Sequence, residues 1–109
     1  MGYVYLLGDW EKDGAYKIGV TRGDIEKRIK KLQTGNCGEI YLVSSYETNH
    51  PFLMESMLHS RYAGKKILNE WFELTADEAI EFKKTCEEVQ DTIEALKDNY
   101  FFKKRLSEK

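Results

Sequence analysis

The sequence predicts an α+β domain: a small mixed or antiparallel sheet of β-β-α-β-α-β order, faced by helices and followed by a long C-terminal helix. Three observations predict it. Short runs rich in aromatic and β-branched residues occur at 3–7, 15–20 and 39–47; two segments between and after them carry apolar residues at helical spacing; and from Ala79 onward apolar residues step by three and four. Strands and helices therefore share one chain of 109 residues, which is long enough for one core and too short for two ordinary domains.

The first strand is "YVYLLGD", in which Tyr3, Tyr5 and Leu7 alternate with Val4 and Leu6. "WEKDG" supplies a turn at Asp13-Gly14, and "AYKIGV" reads as the second strand of a hairpin. Gly19 falls late in that strand, where a missing side chain lets a ligand or another backbone approach. Asp24 is placed to cap a helix "IEKRIKKLQ" whose Ile25, Ile29 and Leu32 form one stripe, with Arg28 at its border. "TGNCG" ends that helix and "EIYLVSSYE" is the third strand.

Pro51 opens the second helix after Asn49 or His50 as cap, with Met54, Met57, Leu58 and Tyr62 as its core stripe and Glu55 and His59 sharing a neighbouring face. "AGKKILN" reads as a loop and "EWFEL" as a short strand or extended segment. "TADE" forms a capping box, Thr75 with Glu78, that starts the last helix. Along it Ala79, Phe82, Cys86, Val89, Ile93, Leu96 and Tyr100 form a heptad seam. The seam either wraps the protein's own sheet or joins two copies as a homodimer.

Net charge is −2, but the charge is unevenly spread. Residues 16–35 carry Lys17, Arg22, Lys27, Arg28, Lys30 and Lys31 against Asp24 and Glu26, whereas the last helix is acidic and the final nine residues are basic again. A local basic wall attracts phosphate whatever the global balance. Cys37 and Cys86 are far apart and have neither zinc-site spacing nor the density of a disulfide scaffold. The N-terminus has no basic region ahead of a long apolar run, and no window reaches membrane-spanning length, so a cytoplasmic setting is expected.

Taken in order, "YVY", "YKIG", "IEKRIKKLQ", the Glu55-x-x-x-His59 helix and "EWF" resemble the GIY-YIG nuclease superfamily, in particular its compact phage and bacterial branch. The resemblance covers residues 3–75. It implies a GIY-YIG-like nuclease domain over 1–75 and a C-terminal packing or dimerisation helix with a basic tail over 76–109. It also implies DNA phosphodiester hydrolysis with one divalent cation, Mg²⁺ or Mn²⁺. By position, Tyr5 stands at the tyrosine of the first motif, Gly19 at the glycine of the second, Arg28 at the helical arginine, Glu55 at the metal-binding glutamate and His59 at the branch's histidine, with Asn69 for a distal asparagine.

Two positions depart from the pattern: Tyr3 replaces the first motif's glycine, and Lys17 occupies the place of the second motif's tyrosine, with Tyr16 one residue early. A one-residue offset in a strand turns a side chain to the other face. Either Tyr5 or His59 supplies the base with Lys17 in a supporting role, or the site is inactive. The chemistry is sound in itself: a cation beside a fixed guanidinium meets the main needs of phosphoryl transfer, Arg presents a fork that fits phosphate oxygens, and Mg²⁺ takes few protein carboxylates. A tyrosine near a cation and Lys17 is expected to have a depressed pKa. Arg22, Lys27, Lys30 and Lys31 are expected to contact the DNA backbone. The alternative is a catalytically inactive nucleic-acid-binding or protein-interaction module.

Overall fold

The protein is described from a computed structural model, over residues 1–97. The strands are β1 (Gly2–Asp9), β2 (Ala15–Thr21), β3 (Ile40–Thr48), β4 (Lys66–Leu68) and β5 (Trp71–Glu73); the helices are α1 (Ile25–Gln33), α2 (Pro51–Arg61), α3 (Ala76–Ile80) and α4 (Phe82–Leu96). The strands form one sheet in the order β3-β1-β2-β5-β4, antiparallel at every pairing. The α+β expectation thus holds, with a sheet larger by one strand. "KILN" is the difference: a 3₁₀ turn over Ala63–Lys65 leads into β4, which pairs with β5 across Asn69 and Glu70. Asn69 has φ 54°, the left-handed conformation a tight hairpin needs and Asn tolerates. Gly14, at φ 79°, does the same work between β1 and β2.

Strand alternation sorts the side chains between two faces. On one, Val4, Leu6 and Ile18 pack with Leu53, Met54 and Leu58 of α2, with Tyr62 just after it, and with Ala79, Phe82, Cys86, Val89 and Ile93 of the last two helices. The heptad seam from Ala79 to Ile93 is therefore covered by the protein's own core, while Leu96 is exposed. Tyr100 and the basic tail lie outside the described residues, and a homodimer is not shown. The last helix is also not continuous: Glu81, at φ −85° and ψ 5°, separates α3 from α4. Arg61 to Glu88 at 2.8 Å and Thr48 to Gln90 at 2.7 Å tie α4 to α2 and β3.

The opposite face holds a smaller cluster of Tyr5, Leu7 and Ile40, on which Ile29 and Leu32 of α1 rest together with Trp71. Asp24 caps α1, its side chain accepting from the amides of Glu26 and Lys27. The loop after α1 is held by a buried acid that the sequence reading did not single out. Asp9 accepts from the Glu11 amide at 2.9 Å and from Asn36 Nδ2 at 3.0 Å, and Gln33 bonds Gly38 and Ile40. Two hydrogen bonds to the ionised form hold the Asp9 carboxyl below the usual range.

Candidate functional site

Arg28, Tyr5 and Gly19 meet on the α1 face. The β1/β2 register sets Tyr5 directly opposite Gly19, and the Tyr5 ring lies over the glycine where a side chain would otherwise stand. Arg28 reaches down from the half-buried side of α1, and its Nε donates to the Tyr5 hydroxyl at 3.4 Å. That bond is at the long end of the hydrogen-bonding range. It is also the leading reason the guanidinium is held even more firmly protonated than usual.

Tyr5 corrects one expectation. Burial pushes its phenol above the ordinary tyrosine value, and the opposing pull of Arg28 does not reverse that; the charges of Glu70 and Glu55 add to the rise. Only 1% of the residue is exposed. A depressed pKa is thus not what this environment produces: desolvation outweighs the nearby cation. Tyr5 stays protonated at neutral pH and positions Arg28. Tyr16 lies on the other face, packed against the α2 cluster, as its one-residue offset requires. Lys17 does share Tyr5's face: it pairs with Leu7 on one side and Trp71 on the other, and its ammonium lies 3.5 Å from Glu70.

Glu55 and His59 approach from α2. β5 pairs with β2 as far as Lys17, and just beyond it the Ile18 amide donates to the Glu70 carbonyl at 3.1 Å. There His59 Nε2 lies 3.1 Å from the Ile18 carbonyl, and the imidazole packs edge-on against Phe72 at 5.0 Å. A carbonyl can only accept, so Nε2 carries the proton and Nδ1 is left as the acceptor of the neutral ring. One helical turn earlier, Glu55 lines a groove of about 430 Å³ with Ser56, His59, Ser60, Lys66 and Phe72. Of the charges acting on Tyr5 and Arg28, that of Glu55 is the smallest, behind Glu70.

Among the described residues no group of three or more His, Cys, Asp or Glu side chains is arranged to cage a metal. Of the described residues lining the groove, Glu55 carries the carboxylate, with two serine hydroxyls beside it. Such a donor set suits a hard cation that retains most of its water and does not suit a closed zinc centre.

The remaining predicted residues are dispersed. Lys27, Lys30 and Lys31 are exposed on α1, next to Arg28 in sequence. Arg22 stands in the β2–α1 loop with its guanidinium 5.0 Å from the Phe52 ring centroid, lining a separate hollow with Tyr3 and Asp24. Asn69 is exposed at the β4–β5 turn, where its backbone conformation accounts for it. Lys66, Glu70 and Trp71 were not among the residues expected at the site. Trp71 and Glu70 meet β2 and Lys66 joins through β5, long-range contacts with no local signature, although "EWF" marked the segment.

Comparison with known proteins bears on this site. The T5orf172 domain matches residues 2–90, from β1 into α4. The chain belongs to the T5orf172 domain family. No curated protein and no solved structure matches it. Membership in this family corrects the GIY-YIG assignment, because the GIY-YIG family itself does not match. The motifs behind that resemblance are short strand and helix signatures, and a tyrosine-rich hairpin followed by a basic helix satisfies them without membership. The T5orf172 domain is phage-derived and found in nuclease-associated contexts, which marks the chain as a nuclease-like or DNA-binding module. Among the described residues no helix is long and apolar enough to cross a membrane.

Proposed function

We propose that this T5orf172 domain is a divalent-metal-dependent endonuclease that hydrolyses DNA phosphodiester bonds. One observation supports the reading: a buried tyrosine over a glycine gap orients Arg28, while Glu55 and His59 line one groove, with His59 against the Ile18 carbonyl of β2 beside that glycine. Arg28 binds the phosphate oxygens through its fork. Tyr5 accepts from Nε and so fixes the direction of that fork. His59, its ring held by Ile18 and Phe72, takes a proton from the attacking water at Nδ1. Glu55 would hold Mg²⁺ or Mn²⁺, which supplies charge neutralisation at the phosphate. Lys27, Lys30 and Lys31 contact the flanking backbone, and Lys66 faces the same groove as Glu55.

Incubating supercoiled plasmid with the protein and Mg²⁺ or Mn²⁺ tests this. Nicking that disappears in Glu55→Ala and Arg28→Ala is expected; nicking that survives both substitutions would reject the reading. A second reading, a catalytically silent DNA-binding module, draws on the Lys17–Glu70 ion pair and the protonated Tyr5 on the same face. Retention of DNA with no nicking in either metal would favour it.

A further inference from the structure

Among the described residues, the α1 face of the sheet is only half covered. Ile29 and Leu32 set α1 over β1 and β3, and among the described helices none makes its principal contacts with the β2-β5-β4 half of this face. Cross-strand partners share a face, so the pair Lys17↔Trp71 places these two in one row there, and Leu68 pairs with Trp71 after a register shift in β4. Leu68 is 65% exposed and Trp71 is half-buried. The ammonium groups of Lys12 and Lys17 lie 5.9 and 6.0 Å from the Trp71 ring centroid. The next row of the same face is Tyr5 and Gly19, where Arg28 arrives.

We propose that this uncovered half-sheet is a platform for an unpaired DNA strand, with bases resting on Trp71 and Leu68 and phosphates meeting Lys12 and Lys17. The inference rests on the nuclease reading above and narrows its substrate class to DNA with a single-stranded segment beside the cleaved bond. An apolar patch alone would suit many partners. One indole flanked by two lysines, continuous with Arg28, has the charge of a phosphate track and the flat apolar surface on which any base stacks. Duplex DNA buries its base faces and has no use for the indole. Glu70 opposes this charge: it stands 3.5 Å from the Lys17 ammonium, with the glutamate side chain 42% exposed and the lysine side chain mostly buried, so a phosphate would reach the pair from the glutamate's side.

The test is metal-free fluorescence anisotropy with labelled single-stranded and duplex DNA and an RNA strand of the same sequence. Single-stranded DNA is expected to bind about 5-fold tighter or more than duplex. Leu68→Ser and Lys12→Gln, both surface changes, are each expected to weaken single-strand binding, Leu68→Ser by about 5-fold, while leaving duplex binding unchanged. In a Trp10→Phe background, Trp71 emission is expected to be quenched by the single strand. Duplex bound as tightly as single strand, RNA bound more tightly than DNA, or Leu68→Ser without effect would each overturn the platform. These outcomes are independent of cleavage: plasmid nicking with no single-strand preference rejects the platform alone, and single-strand binding without nicking rejects the nuclease alone.

Discussion

Gly19→Ala probes the packing on which the site depends. A Cβ at position 19 would lie 2.5 and 2.6 Å from Cζ and Cε1 of Tyr5 and closer still to its hydroxyl oxygen. Ordinary contact begins at 3.4 Å, so the ring must retreat by about 0.9 Å. It has little room, because Tyr5 is fully buried between the sheet and α1. Overpacking of this kind costs about 1–3 kcal/mol. In a domain of this size that lowers Tm by roughly 5–20 °C. The Arg28 bond, already 3.4 Å long, does not survive the displacement, so phosphate binding falls with stability. Urea unfolding of Gly19→Ala in two backgrounds isolates the cause. Tyr5→Leu deletes the ring atoms that meet the new methyl, so the same alanine should be nearly neutral there, a coupling of about 1 kcal/mol or more. Equal destabilisation in both backgrounds would refute the argument that the glycine exists to admit the ring.

Two further outcomes follow from charge. The folded-state pKa of Asp9 is depressed, so its ionised form contributes stability that is fully present above the unfolded pKa of about 4 and is lost as pH falls through the folded value. Thermal melts should therefore be level from about pH 7 to 5 and decline below about pH 4. Asp9→Asn, which turns an amide donor toward Asn36 or Glu11, should cost about 1–3 kcal/mol at neutral pH and flatten that acid decline; an unaltered acid profile would count against the role given to Asp9. The exposed Lys27, Lys30 and Lys31 should set salt dependence. Changing all three to Gln should reduce the slope of log K against log salt for duplex DNA by up to about 2.7, and an unchanged slope would remove α1 from the interface.

What could be read from the sequence was what short-range periodicity encodes. The β1–β2 hairpin shows in its alternation and in Asp13-Gly14, α1 shows in Asp24 and its stripe, and the seam from Ala79 to Ile93 is apolar because it faces the core. Three features depend on distant partners and were not legible. β4 is three exposed residues with no alternation of their own, and it is a strand because β5 pairs with it. The interruption at Glu81 leaves the three-and-four stepping undisturbed, so periodicity could not reveal it. The environment of Tyr5 is set by burial under α1, which turned an expected fall in pKa into a rise. For the site, the grouping of the expected residues was not legible. Arg28 and Tyr5 touch, and His59 and Glu55 share a groove around the edge of β2, but Asn69 and Arg22 lie apart. Trp71 and Lys12 join the picture only once β5 is seen beside β2.

The most direct test of the account is a double-mutant cycle on single-turnover DNA cleavage, using Arg28→Ala, Glu55→Ala and the pair together. If both side chains act on one phosphate, each single substitution should slow cleavage by about 100-fold or more, and the double variant should be about as slow as the worse single. Losses that multiply would mean that the guanidinium and the carboxylate work in separate places, and the shared site would be contradicted.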